Sequence, residues 1–276
     1  MKKFLLPALI IFLISTISFA QNVGQKGDTL INYKDINGMK QGKWTKKYKS
    51  GKTAYIATFK NDKLIGLYQR FHTTGKLGLE VNYDENESGY AKIYYDDGKL
   101  GAEGNYINRN VKDGLWKFYG VDGKLIIEIN YKNGILNGKE SKYWRNGNLM
   151  EEKNWKDGKQ EGLWAQYFEN GRDRLKTRMI NDKRNGVFYV YYPNGRYYAK
   201  GAYKDNLRVG HWTFYDKDGT VTRDTEYTNG VAADQDEIDA KTTKEIEEWE
   251  QMKGVIPDPN IDNMFKYDKT YGPLSK

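Results

Sequence analysis

The sequence predicts an all-β protein: one elongated, single-layer antiparallel sheet of stacked β-hairpin repeats, with a short C-terminal helix. The 276-residue chain has 7 Trp, 23 Tyr and 10 Phe, yet only 38% of its residues are hydrophobic. Glycine is frequent, at 29 residues, and proline is rare, at 5. Few aliphatic side chains exclude a thick enzyme core, and so many aromatic residues argue against disorder. A motif repeated along most of the chain supplies the third observation.

The repeat has eight units, each opening on a glycine that lies 23 to 25 residues before the next opening glycine. A second glycine follows nine residues after each opening glycine. A fixed period in this range is typical of repeat architectures. The opening residues are Gly42, Gly66, Gly89, Gly114, Gly138, Gly162, Gly186 and Gly210.

Aromatic residues recur in three columns of the unit, which predicts that their rings stack along the sheet and shield one another. The columns lie two and five residues after the opening glycine, and eight residues after the second glycine. The predicted structural positions are Trp44, Tyr68, Trp212, Tyr83, Tyr106, Tyr131, Trp155, Tyr203 and Tyr227. The exceptions, where we expect a kink or a binding position, are Lys47, Ala91, Glu140 and Met179.

Turn residues predict that each unit is a hairpin. The residue before the second glycine is Asn, Asp, Ser or Thr, as in Asp122-Gly123, which favours a two-residue turn with positive φ at both central positions. Other turn pairs, such as Asn133-Gly134, join one unit to the next. Between them, residues 125–131 alternate between two faces with the period of a strand.

The chain divides into four segments. Residues 1–20 predict a secretory signal peptide, because Lys2 and Lys3 precede an apolar run and small residues precede Gln21. Residues 21–41 are a leader with a degenerate first repeat, and residues 42–230 are the eight repeats. Residues 231–276 are expected to form a helix over Asp236 to Lys253, packed on the last hairpin, and an extended tail.

The signal predicts an exported protein: periplasmic, associated with the outer envelope, or secreted. The chain has no cysteine, so a lipobox cysteine is not available at the cleavage point. An uncleaved N-terminal anchor is the alternative interpretation of residues 1–20.

The unit that starts at Tyr131 (YKNGILNG) and continues to Trp144 and Asn146-Gly147 resembles the MORN (membrane occupation and recognition nexus) repeat. More closely, it resembles the bacterial MORN variant, often labelled antitoxin-type (YwqK-like). The pattern extends over residues 42–230, about two thirds of the chain. The resemblance implies stacked hairpins in an elongated sheet, and it implies binding or scaffolding rather than catalysis.

The sequence predicts no catalytic residue, no metal site and no cofactor. The chain has two histidines, His72 and His211, which six repeat units separate, so they cannot share a site. A carboxylate recurs five residues after the second glycine, and we expect it to pair across strands rather than to hydrolyse glycosides. This column consists of Glu80, Glu103, Glu128, Glu152 and Asp224.

The expected function is a protein-interaction scaffold in the cell envelope, with a protein partner. One alternative is a carbohydrate-binding module that uses exposed Trp and Tyr rows. Another is a peripheral binder of anionic membranes, because residues 21–230 have a formal net charge of +11. Nucleic acid is not expected to meet an exported protein. The candidate binding surface consists of Tyr95, Trp144, Phe168, Tyr192, Trp116 and Trp164.

Overall fold

The computed structural model describes residues 30–251, which form nineteen strands in one sheet and one helix. The strands of the first half are β1 (Tyr33–Lys34), β2 (Lys40–Lys47), β3 (Thr53–Lys60), β4 (Lys63–Leu64), β5 (Gly66–Phe71), β6 (Leu77–Tyr83), β7 (Gly89–Tyr94), β8 (Leu100–Ile107), β9 (Val111–Tyr119) and β10 (Leu125–Lys132). The others are β11 (Ile135–Tyr143), β12 (Leu149–Lys156), β13 (Lys159–Tyr167), β14 (Asp173–Ile180), β15 (Lys183–Tyr191), β16 (Tyr197–Lys204), β17 (Leu207–Tyr215), β18 (Val221–Thr228) and β19 (Val231–Ala232), before α1 (Gln235–Gln251).

Every strand pairs antiparallel with its neighbours in sequence, so the sheet is a meander. β4 and β5 both pair with β3 and together form one interrupted strand. At about 4.8 Å per strand, the sheet is about 80 Å long. The predicted fold class is confirmed. The signal-peptide prediction and the predicted tail from Pro257 lie outside the described residues.

The hairpin turns at the second glycines differ from the predicted two-residue turns. In the hairpin of the fourth unit, φ is positive at Gly123 (80°) but not at Asp122. The Gly123 N–H donates to the Gly120 carbonyl, and the Gly120 N–H donates to the Lys124 carbonyl, both at 2.8 Å. This is a longer loop, with glycine in the left-handed conformation at a bulge. The dipeptide fits both loop types, and the register of the flanking strands selects the longer one.

The two-residue turn with two positive φ values occurs at the opposite edge of the sheet, between units. Asn133 has a φ of 51° and Gly134 a φ of 81°. Asp205 (51°) and Asn206 (71°) adopt the same conformation without glycine. Asparagine and aspartate tolerate this region because their short polar side chains bond locally. The two edges of the sheet therefore carry two different turn types.

Replacing Gly123 with alanine should lower the free energy of unfolding by about 1–2 kcal/mol, the cost of a left-handed non-glycine residue. A Cβ built at this position has no atom within 4 Å, so the cost is backbone strain alone. Urea unfolding of the variant measures it. The exposed neighbour Val121 is the control, and its alanine variant should change stability by less than about 0.5 kcal/mol. Equal effects of the two substitutions would contradict the turn assignment.

The helix α1 packs on the sheet only at its start, which corrects the prediction that it covers the last hairpin. Ile238 contacts the apolar cluster around Trp212 and Tyr227, but Ile246 and Trp249 are 54% and 75% exposed. At the helix start, Arg223 donates two hydrogen bonds to Asp234, at 2.7 and 2.8 Å. These bonds lower the pKa of the Asp234 carboxyl. No helix among residues 30–251 is long and apolar enough to span a membrane.

Candidate binding surface

The sheet has two unlike faces. Directly opposed residues of antiparallel strands share a face, so the register assigns every column to one side. We call the side with the first and third aromatic columns the covered face. The other side, with the second column, is the open face. A binding function depends on which of the two faces remains accessible.

On the covered face, two tryptophans of the first column lie over glycines of the neighbouring strand. Trp116 is completely buried, and a Cβ at Gly104 would lie 2.5 Å from its indole. The Trp116 Nε1 donates to the Asn105 carbonyl at 2.9 Å. Trp212 is 1% exposed and lies over Gly201 in the same way. Trp116 is therefore a core residue, and its prediction as part of an exposed binding surface is wrong.

Cationic side chains cover this aromatic layer from above. The Lys112 Nζ lies 4.9 Å from the Trp116 ring centroid and 4.8 Å from that of Phe118. Burial lowers the pKa of Lys112. Arg208 lies over Trp212 in the same position of its own unit, with 4.6 Å between the guanidinium carbon and the ring centroid. In these two units the chain's own side chains therefore cover the buried rings.

Three other predicted binding residues tie successive hairpin turns together. The Tyr95 hydroxyl donates to the Tyr119 carbonyl (2.7 Å), and the Tyr192 hydroxyl donates to the Tyr215 carbonyl (3.0 Å). The Trp144 Nε1 likewise donates to a carbonyl one unit ahead, at 3.1 Å. All three side chains are half-buried. Their polar atoms form hydrogen bonds within the sheet, and these bonds link successive hairpins along one turn edge. The three residues therefore have a structural role.

The remaining two candidates also have defined surroundings. Phe168 takes the same turn position as Trp144, but its ring has no donor. Trp164 lies on the covered face, half-buried, and its Nε1 donates to Glu151 Oε1 at 3.0 Å. The structure does not bring the six predicted binding residues together, since they divide between a turn edge and the covered face.

A charged seam of Glu140, Lys142, Glu151 and Lys153 interrupts the covered face in the fifth unit. Lys142 Nζ lies 3.0 Å from Glu151 and 3.4 Å from Glu140, and Lys153 Nζ lies 3.2 Å from Glu151. Trp155 Nε1 donates to Glu140 at 2.7 Å. The exception at Glu140 is thus a buried ionic network. It lies between two separate apolar clusters. The cluster around Trp116 also contains Val81, Tyr83, Ala91 and Ala102, and the cluster around Trp212 also contains Phe188, Tyr203, Tyr227 and Ala232.

The pKa of Glu151 reflects this network. Burial raises the pKa, but hydrogen bonds from Gln166, Trp164 and Lys142, together with the charge of Lys153, outweigh burial and lower it to about 2. Glu151 is therefore ionised at every pH at which the protein is expected to work. Its contacts are satisfied inside the sheet, so the seam is a structural element.

The open face carries a row of exposed apolar side chains, at the position directly after the opening glycine. Their exposed fractions run from 42% to 55%. Asparagine occupies several of the opposed positions, as where Asn82 lies between Leu67 and Tyr90. Leu163 is instead opposed to Arg178, and Val187 to Ala202. We call these side chains the apolar row; they are Leu67, Tyr90, Leu115, Leu163 and Val187. Their recurrence is visible in the sequence, although this position lies outside the three aromatic columns.

A charged ladder runs beside the apolar row on the open face. It contains the predicted carboxylate column, and Glu103 is opposed to Lys92 on one side and Lys117 on the other. The Tyr119 hydroxyl donates to Glu103 at 2.6 Å, and Lys139 lies 2.6 Å from Glu152. These carboxylates pair across strands, as expected from their recurrence in most units.

The seventh unit adds a tyrosine cluster to the open face. The Tyr191 and Tyr197 rings stack with centroids 4.9 Å apart, and Tyr189 lies 5.8 Å from Tyr197. Tyr215 closes the cluster at 6.2 Å from Tyr197, and Lys200 lies over its ring. Tyr197 is 40% exposed. This is the place on the open face where four rings meet at the surface.

The histidines lie apart, as the sequence predicts. His72 Nε2 lies 2.9 Å from the Tyr94 carbonyl, and its Nδ1 lies 3.3 Å from Asp96. His211 Nε2 lies 3.0 Å from Glu226. Within residues 30–251, no group of three or more His, Cys, Asp or Glu side chains could hold a metal ion.

The fold and its two faces define a hairpin-repeat sheet protein with one closed and one accessible side. Five segments of the chain match the family model described as MORN repeat variant: residues 40–61, 87–108, 112–133, 136–157 and 184–205. These five segments are similar to MORN-variant repeats, as the resemblance implied. The hairpins of β5–β6, β13–β14 and β17–β18 have the same register outside the matched segments.

Among solved structures, the chain is similar to the crystal structure of TarM (14% identity, TM-score 0.26, 37% of this chain and 19% of that chain). It is also similar to a mutant of S. aureus TarM in complex with Fondaparinux, alpha-GlcNAc-glycerol and UDP (14% identity, TM-score 0.28, 39% and 21%). A third is TcdB2-TccC3-Cdc42 (12% identity, TM-score 0.17, 66% and 12%). The chain spans about a fifth or less of these proteins' lengths. No curated protein matches the chain.

Proposed function

We propose that the protein is an exported, non-enzymatic scaffold of the cell envelope that binds a protein partner through its open face. The observation that carries the proposal is the apolar row, whose five side chains are all at least 42% exposed. Contiguous exposed apolar surface bordered by polar residues is typical of interaction sites. The covered face offers no such surface, because Trp116 and Trp212 are buried.

The side chains of the open face favour a protein as the binding partner, rather than a uniformly charged surface such as an anionic membrane. Apolar side chains take this position in five of the eight units, and neighbouring units place them about 10 Å apart. Lys139 interrupts the row between Leu115 and Leu163. Beside the apolar row, the ladder carries both signs of charge, with Glu103 between Lys92 and Lys117. A partner with alternating apolar and charged groups complements this pattern.

Export rests on residues 1–20. The basic start, the apolar run and the small residues before Gln21 support it. Fusing residues 1–30 to a reporter enzyme that is active only outside the cytoplasm tests it. We expect activity that is lost when Leu5 and Leu6 are replaced by arginine, whereas unchanged activity in that variant would contradict an export signal.

Site-specific photo-crosslinking tests the binding face. A photoreactive phenylalanine analogue placed at Leu115 or Leu163 should give a discrete protein adduct in cells. Ile135 is the matched control, because it is equally exposed (52%) but lies beside the unit-to-unit turns, in contact with Gly158. Leu115→Glu should abolish the adduct formed at 163 without changing the melting temperature. Equal adducts from 115 and 135, or none from the apolar row, would refute the proposal.

The tyrosine cluster favours glycan binding as a second candidate function. Tyr191 and Tyr197 present stacked rings at the surface, and such rings can pack on sugar faces. Tyr197→Ala should weaken binding to an envelope glycan at least tenfold by calorimetry. Tyr198, also exposed (46%) but paired with Tyr192 at the turn edge, is the control. If no glycan binds the parent protein, this candidate function is excluded.

A further inference from the structure

The aromatic rings at the two ends of the sheet are covered to different extents. At the C-terminal end, Trp212 (1% exposed) and Tyr227 (5%) lie under β19 and Ile238. At the N-terminal end, the corresponding rings are Trp44 and Phe59, which are only half-buried. Each inner unit of a repeat protein is covered by its two neighbours, whereas a terminal unit has a neighbour on one side only. Terminal units therefore need a cap. Among the described residues, the first unit has only the two-residue strand β1 beside it.

The N-terminal end is apolar and strongly basic. Residues 30–60 contain eight lysines and one acidic residue, Asp35. Lys40 lies over the Trp44 and Phe59 rings, at 5.0 and 4.9 Å from their centroids. The exposed apolar side chains of this end are Leu30 (65%), Ile31 (53%), Tyr33 (44%), Ile36 (99%) and Met39 (37%). Apolar surface and positive charge are therefore concentrated at one end.

The C-terminal end presents the complementary chemistry. The helix α1 carries seven acidic and two basic side chains over its seventeen residues. Ile238, Ile246 and Trp249 lie within about 80° of one another around the helix axis, so they form one apolar face. Ile238 contacts the sheet, whereas Ile246 and Trp249 do not bury their side chains. The helix thus extends the covered face with an apolar, acid-flanked surface that has no cover among residues 30–251.

We propose that α1 of one molecule caps the first unit of a second copy of this chain, which gives head-to-tail assembly. The apolar face of α1 would pack on Trp44, Phe59 and the exposed residues of the first unit. Its acidic side chains would pair with the lysines of β2 and β3. A helix of seventeen residues is about 25 Å long, which matches the length of an eight-residue strand. Because the two surfaces differ, the contact is heterologous and extends into chains of molecules.

Cysteine cross-linking tests this contact, because the chain has no cysteine of its own. Two differently tagged full-length chains are co-expressed, one with Glu248→Cys on α1 and the other with Lys46→Cys on β2. A membrane-permeable bismaleimide should then produce a mixed product of twice the chain mass. Trp249→Glu in the helix variant should lower its yield at least fivefold. Lys132→Cys, exposed at a central turn, is the matched control and should give little product.

Each alternative arrangement has its own signature in this experiment. Products from Glu248→Cys alone would show symmetric helix pairing and overturn the head-to-tail contact. Equal yields with Lys46→Cys and Lys132→Cys would show collision rather than docking, and would also overturn it. The open-face adducts at residues 115 and 163 do not depend on this contact, so the two proposals fail separately.

Discussion

Replacing Trp116 with alanine is expected to lower the free energy of unfolding by about 3–5 kcal/mol, the cost of removing a fully buried tryptophan. The side chain is 0% exposed and contacts Tyr106 and Phe118, with ring centroids at 4.8 and 6.2 Å. Its loss also leaves Lys112 without the ring that it covers. Urea unfolding followed by far-ultraviolet circular dichroism measures the change.

Trp249 supplies the matched control, because it is a tryptophan that is 75% exposed. Its alanine variant should change stability by less than about 0.5 kcal/mol. A second variant tests the packing directly: Gly104→Ala places a methyl group 2.5 Å from the Trp116 indole. That methyl group should destabilise the parent protein but cost little in the Trp116→Ala background. Additive effects of the two substitutions would contradict the assigned contact.

Replacing Glu151 with alanine is expected to cost about 3 kcal/mol, because breaking a buried ion pair leaves its partners uncompensated. Lys142 and Lys153 would lose their shared carboxylate, and Trp164 and Gln166 would lose their acceptor. The seam lies between the two apolar clusters. We therefore expect the variant to unfold in two steps, one for each cluster.

The pH dependence of stability gives an independent readout of the same residue. The pKa of Glu151 is about 2 in the folded protein and 4.5 in its ordinary state. A lowered pKa stabilises the folded protein above pH 4.5, and this stabilisation is lost as the pH falls from 4.5 towards 2. Urea midpoints of the parent should fall in this range more steeply than those of Glu151→Gln. Parallel curves would contradict the role of Glu151.

Glu169 is the control for both measurements. It is also a glutamate of a hairpin unit, but it lies exposed at a turn. Glu169→Ala should leave both the cooperativity and the pH dependence unchanged. A loss of stability equal to that of Glu151→Ala would show that net charge, rather than the seam, is responsible.

Much of the fold follows from local sequence. The opening glycines recur because the backbone has a positive φ where they pair with third-column residues, as at Gly66 (62°, opposite Tyr83) and Gly210 (66°, opposite Tyr227). Alternation along residues 125–131 determines which side chains share a face, since the period of a strand is two. These faces can be predicted from the sequence because each strand contacts only the strands adjacent in sequence. Sequence reasoning therefore predicted the sheet, its repeats and its terminal helix.

The binding surface was less predictable. Tyr95, Trp144 and Tyr192 lie outside the three aromatic columns, which predicted exposed rings. In the structure, each donates a hydrogen bond to a carbonyl 23 or 24 residues ahead. That contact depends on how far one hairpin is displaced from the next, which no single unit specifies. The apolar row was visible as a column, yet its exposure depends on the fact that residues 30–251 form no second layer above it.

The hairpin repeat, its two faces and the number of repeats could be predicted from the sequence, because they depend on residue spacing within one hairpin. Tertiary structure alone decided which turn type each edge adopts, which rings Lys112 and Arg208 cover, and how Glu140 and Glu151 divide the core. It also decided that Trp249 extends beyond the sheet instead of packing on it. These outcomes depend on side chains one unit or more apart, whose separation is set by the stacking of strands rather than by distance along the chain.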